Sequence, residues 1–198
     1  MQSKQSLQFL KAASWHNHVN AVSRSRLMVD WLTNRHSLTA RLVARSEQFR
    51  VQRLHQRSAL CLHDEFDAIG LARQVRVVER EVLLCCDGTA VVYAHTVVPV
   101  SATASQWPLF AGLGEKSLGT TLFSDPLVER GDMAYASLRP GHPLMRRIAA
   151  LQMDAEAPLR LLARRSVFRR KGACLLVTEV FLPGIIALRR HNTAGECV

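Results

Sequence analysis

Residues 75–86 and 89–100 are two long apolar runs rich in β-branched side chains, separated only by Asp87-Gly88. Those two residues are a strong signal for a type I′ hairpin turn, so the runs predict neighbouring antiparallel strands. Residues 161–169 and 173–182 repeat the arrangement across Lys171-Gly172 and stop at Pro183-Gly184, which predicts a second hairpin. Further strands are expected at 48–54 and 127–138. Helical spacing links Leu27, Met28, Trp31 and Leu32, and after a break at 34–37 it links Leu38, Leu42 and Val43. Short helices are expected at 108–113 and 118–123, a loop with a short helix at 64–71, and a surface helix at 144–151. Hairpin-linked strands with helices gathered at intervals argue for an α+β fold on an antiparallel sheet.

At 198 residues the chain has the length of one ordinary domain. It divides into a loose N-terminal arm at 1–24, a domain at 25–185 and a C-terminal tail at 186–198. The arm carries Lys4, Lys11 and Arg24 with no acidic residue before Asp30, a transit-peptide composition. It lacks a continuous apolar core, and the loose arm is the preferred reading. No stretch approaches the roughly 20 apolar residues of a membrane span, so stable membrane insertion is not expected. The cysteines are five, without a C-x-x-C pair, and His16-x-His18 has no further ligands nearby. This argues against a metal and for a reducing, cytoplasmic setting.

The excess of 26 basic over 16 acidic residues gives a net charge of +10, which attracts anions from nucleic acid down to small dianionic metabolites. Basic residues crowd the stretch 139–171, but Phe168 is its only aromatic, so single-strand binding by base stacking is poorly supported. The helical hairpin at 25–43 has a helix-turn-helix outline, yet such hairpins are common packing units. No nucleic-acid partner is expected.

Alternation along a strand puts Val78, Arg80, Val82 and Leu84 on one face, and Leu175, Val177, Glu179 and Phe181 on one face of the later hairpin. Each set holds one charge among apolar neighbours. A charge so placed needs an opposite partner or a ligand. Two readings stay open. Arg80 and Glu179 satisfy each other, or they flank a pocket where the guanidinium fork takes a carboxylate and the glutamate takes a hydroxyl or a proton.

Several segments stand in a specific order and spacing: Arg80-Glu-Val-Leu-Leu-Cys-Cys-Asp-Gly88, Thr96-Val-Val-Pro-Val-Ser101, Leu113-Gly114, Ser117-Leu-Gly119, Leu122-Phe123, Arg164-Arg-Ser166 and Thr178-Glu-Val-Phe-Leu-Pro183. Through them the chain resembles the chorismate pyruvate-lyases of ubiquinone biosynthesis over about residues 26–183. The resemblance implies a six-stranded antiparallel sheet whose helical flaps close over an enclosed pocket. It implies a cofactor-free monomer that converts chorismate to 4-hydroxybenzoate and pyruvate. Arg80 would grip the ring carboxylate with help from the backbone of Leu118, Glu179 would lie at the phenolic end, and Leu38 would cover the ligand where relatives carry methionine. For the second carboxylate of the substrate the candidates are Arg164 and Arg165. Two departures stand out. Ala94-His95 replaces a Gly-Arg pair, with consequences expected for the pocket wall or product release, and a longer region at 138–156 adds a basic surface helix. The rival is a non-catalytic ligand-sensing domain of the kind found in bacterial transcription regulators, which has a similar fold. The two dozen residues before the first helix are too few for the winged helix that such regulators carry.

Overall fold

The computed structural model describes residues 13–153 and 158–188. Six strands form one antiparallel sheet: β1 (Phe49–Leu60), β2 (Arg76–Cys86), β3 (Thr89–Pro99), β4 (Val128–Leu138), β5 (Leu161–Arg170) and β6 (Ala173–Phe181). Their order across the sheet is β1-β2-β3-β6-β5-β4. The fold is α+β, as the patterning predicts. Both tight turns take left-handed backbone at two successive residues, with φ of 49° and 80° at Asp87 and Gly88 and of 49° and 79° at Lys171 and Gly172. The two hairpins then join through β3 and β6, whose register sets Thr96 opposite Val177 and Ala94 opposite Glu179.

Helices α1 (Arg26–Thr33) and α2 (Leu38–Val43) form one flap over the sheet; α3 (Pro108–Ala111) and α4 (Leu118–Ser124) form another. Serines set the starts of the first pair, Ser25 Oγ accepting from the Met28 amide and Ser37 Oγ from the Ala40 amide. Met28, Trp31, Leu32, Leu38 and Leu42 are buried against the sheet, in one core cluster with Val82, Leu84 and Phe181. The flaps meet where Thr39 Oγ1 lies 2.5 Å from Ser117 Oγ. That contact needs the adjacent glycine, since a Cβ on Gly119 would lie 2.8 Å from Thr39 Oγ1.

Three expectations are corrected. Strand β1 runs to Leu60 rather than 54 because its polar second half is an edge strand, with His55 and Arg57 set opposite Glu81 and Glu79. Helix α5 (Pro143–Ala150) is not a surface appendage: it buries Leu144, Met145 and Ile148 against the back of the sheet. Residues 13–24 are not loose. The Trp15 indole donates to Asp64 at 2.8 Å, its ring stacks under Arg165 at 4.2 Å, and His16 and Tyr135 exchange backbone hydrogen bonds of 2.8 Å. Residues 1–12 of the expected arm and 189–198 of the expected tail, with Lys4, Lys11 and Cys197, lie outside the described residues.

Candidate active site

Between the front of the sheet and the two flaps is a cavity with about 600 Å³ of empty space, counting its mouth. Arg80, Glu179, Leu38 and Leu118 all line it. Alternation brings this about. Arg80 with Val82, and Glu179 with Val177, point forward from strands separated only by β3, whose Ala94 and Thr96 form the floor between them. Leu38 opens α2 and Leu118 opens α4, so each flap puts the first residue of its second helix over the cavity.

Arg80 and Glu179 are not paired. Glu179 takes Arg164 as its partner, Nε donating to Oε2 at 2.5 Å. Arg164 is fully buried, and its Nη1 also donates to the carbonyls of Trp31, Leu32 and Asn34, the acceptors that the end of α1 leaves without helical partners. Arg80 donates from Nη2 to the carbonyls of Gly114 and Lys116, while its buried Nε has no partner among the described residues. Burial, with Arg53 adding repulsion, pushes the Arg80 guanidinium down to about 10. A buried donor left over on a cation is a position for an anionic ligand.

Of the two candidates for a second carboxylate, Arg165 faces backward, to the Asp64 carbonyl and Trp15, and is no part of the cavity. Arg164 lines it but is already neutralised by Glu179. The residue that sequence reasoning missed is Arg130, which also lines the cavity. Parity hid it. In β4 the residues facing forward are Met133 and Tyr135, so a regular strand would present Gly131 next. The register shift between Arg130 and Met133 turns Arg130 forward instead. The isolated Gly131 was the available signal.

The departure at Ala94-His95 divides between the faces. Ala94 lines the cavity; His95 lies behind the sheet, wholly buried, with Nε2 3.0 Å from Glu65 and Nδ1 3.1 Å from Glu81. Burial alone would lower its imidazolium, but Glu65 and Glu81 overcome this and raise it to about 10. Burial would raise Glu81, yet His95 and Arg147 hold it at about 2. Arg147, supplied by α5, also bonds Glu79 at 3.0 Å, and Arg57 meets the same carboxylate from β1. His55, Glu79 and Glu81 are close enough to hold a metal ion, but arginines already neutralise the two carboxylates.

Among the described residues, no helix is long and apolar enough to cross a membrane. Two solved regulator structures share the fold at low identity: a histidine utilization repressor C-terminal domain from Pseudomonas syringae pv. tomato (TM-score 0.51, 13% identity, 76% of this chain and 99% of that one) and a GntR-family regulator from Bacillus cereus (TM-score 0.51, 13% identity, 69% and 93%). At such identity they inform the fold alone. Sequence relatives are much nearer. A probable chorismate pyruvate-lyase of Cupriavidus metallidurans is 45% identical over 190 residues, 96% of this chain and 88% of that protein; one of Cupriavidus pinatubonensis is 48% identical over 157 residues, 79% and 80%. A sequence model described as chorismate lyase matches residues 9–190, and the chain belongs to the chorismate lyase family.

Proposed function

We propose that this protein is a chorismate pyruvate-lyase that releases 4-hydroxybenzoate and pyruvate, acting in the cytoplasm as a monomer and supplying the ring of ubiquinone. The observation that carries the reading is the polarity of the cavity: on β2 a buried guanidinium with an unpaired Nε, on β6 a carboxylate with one oxygen engaged by Arg164, and between them the floor of Ala94 and Thr96 walled by Val82 and Val177. Such a slot suits a flat ring with a carboxylate at one end and a hydroxyl at the other.

Chorismate carries an enolpyruvyl ether and a hydroxyl on a cyclohexadiene. Breaking the ether C–O bond and removing the proton from the carbon that bears the hydroxyl leaves an aromatic ring. The departing enolpyruvate takes up a proton to become pyruvate. Aromatisation makes this strongly downhill, so the protein has only to orient the substrate and stabilise charge. Arg80 holds the ring carboxylate through Nε, the donor that Gly114 and Lys116 leave free, with the Leu118 amide at the start of α4 as a further donor. Glu179 Oε1 accepts from the ring hydroxyl, because Arg164 engages the other oxygen and fixes the carboxylate's orientation. Leu38 closes the roof.

Purified protein given chorismate without metal or nucleotide should form pyruvate and 4-hydroxybenzoate in equal amounts, undiminished by a chelator. Survival of chorismate together with tight binding of 4-hydroxybenzoate would instead support the sensor reading; activity lost to the chelator would overturn the cofactor-free chemistry.

A further inference from the structure

The cavity holds more positive charge than its own residues can neutralise. Arg80, Arg130, Arg164 and Glu179 line it, and only Arg164 has a carboxylate partner. Every other ion pair made by an arginine among the described residues involves neither Arg80 nor Arg130. Two guanidiniums, Arg80 buried and Arg130 half-buried, are left without a carboxylate partner, an arrangement that is costly in an empty fold and suited to a ligand with two negative charges.

Arg130 is built in from several directions. Its Nε donates to Ser166 Oγ at 3.0 Å and its Nη1 to the Arg35 carbonyl at 2.7 Å, in the turn joining α1 to α2. The rings of Phe123 and Phe168 lie 5.7 and 5.4 Å from its carbon centre. Among the described residues its Nη2 has only the Met133 sulfur, at 3.3 Å, and a thioether is a weak acceptor that an oxyanion readily replaces. The bulge that exposes this nitrogen depends on Gly131, where a Cβ would press on the Val167 carbonyl at 3.1 Å. Burial is the main influence on the guanidinium and lowers it to about 10; nearby Glu179 opposes this, while Arg164 and Arg35 add to it.

We infer that Arg130 binds the enolpyruvyl carboxylate of the substrate, completing with Arg80 a two-point grip on a dianion. This rests on the lyase reading and deepens it. When the ether bond breaks, the two carboxylates part company: one stays on the aromatic ring at Arg80, the other leaves with pyruvate from Arg130.

The test compares the intact protein with Arg130→Gln and Arg130→Lys, each confirmed folded by its melting curve. Removing one partner of a buried charge contact should lower kcat/KM for chorismate by roughly 30-fold or more. Affinity for 4-hydroxybenzoate, which has no second carboxylate, should stay within about threefold, and inhibition by added pyruvate should be lost. The lysine variant keeps the charge without the fork and should fall between. A measurement independent of folding uses chorismate esterified at the side-chain carboxylate: the intact protein should lose a similar factor on the ester, while Arg130→Gln should barely distinguish ester from acid. Equal losses for chorismate and 4-hydroxybenzoate in Arg130→Gln, or an intact protein indifferent to the ester, would overturn the assignment. If the intact protein neither consumes chorismate nor binds 4-hydroxybenzoate, the lyase reading itself fails, and the assignment with it.

Discussion

Arg80 and Arg164 are both buried arginines of the same cavity, yet removing them should have opposite kinds of consequence. Arg164 is 1% exposed and joins Glu179 to three carbonyls at the end of α1. Arg164→Gln takes from Glu179 its ion-pair partner and from the end of α1 the donor to three carbonyls, a loss of about 3–5 kcal/mol on the scale of a broken buried pair. A domain of this size loses about 2–4 °C of Tm per kcal/mol, so melting should fall by roughly 6–20 °C. Arg80→Gln gives up two hydrogen bonds to Gly114 and Lys116, but it also removes a buried charge that had no partner. These offset, and Tm should move by only a few degrees. Ligand response should reverse the order of effects. At a 4-hydroxybenzoate concentration 100 times Kd, the unaltered protein gains about 2.7 kcal/mol. That is roughly 5–11 °C of Tm, and Arg80→Gln should lose nearly all of it. Melting curves of the three proteins with and without the ligand, scanned side by side, provide the check. A fall in Tm for Arg80→Gln as large as that for Arg164→Gln, with the ligand response retained, would place Arg80 among the structural ion-binding groups and refute its role at the ring carboxylate.

Glu179→Gln should weaken 4-hydroxybenzoate but leave benzoate almost unaffected, as calorimetric titration of the two ligands would read; equal weakening would remove Glu179 from the phenolic end. Leu38→Ala should speed product release in stopped-flow displacement more than it lowers Tm, whereas the reverse would make Leu38 an ordinary core residue. Gly119→Ala should push Thr39 off Ser117 and loosen the flap contact, raising the product Kd several-fold; an unchanged Kd would show that the contact does not hold the flaps closed. The raised imidazolium of His95 stabilises the fold fully below about pH 6.5, its unfolded value, and the contribution disappears as pH rises through about 10. His95→Gln should therefore flatten the decline of stability across that window in denaturant titrations at stepped pH, and an unaltered slope would contradict the raised value.

The sheet was legible because its two hairpins carry their turns in sequence and their faces by alternation, and the same alternation singled out Arg80 and Glu179 as charges on apolar faces. What failed to show were relations between distant elements. Alternation says that Arg80 and Glu179 face one way, but not that β3 lies between their strands or that Arg164 is Glu179's partner. It also gives the wrong answer wherever a bulge changes parity, which is how Arg130 escaped notice. The back of the sheet was harder still. Glu79, Glu81 and His95 sit inside apolar runs that read as uniform core, and their neutralising cation, Arg147, comes from a helix whose composition suggested a solvent-facing surface.

The two faces of the sheet handle charge in different ways, and the difference bears on function. Behind it, the carboxylates of Glu65, Glu79 and Glu81 are met by His95, Arg147 and Arg57, with His55 beside Glu79 and Glu81. Carboxylates matched in this way by cations gain specificity of packing without calling for a ligand. In front, the balance is left open by two positive charges, one at Arg80 and one at Arg130. An apolar core would be the more stable choice there, and a bound dianion would remove the surplus. Binding substrate then satisfies both guanidiniums together, whereas either product alone satisfies one. The electrostatic preference is for the unreacted dianion over each product taken singly, which helps the cavity exchange products for new substrate even though its apolar walls hold an aromatic ring well.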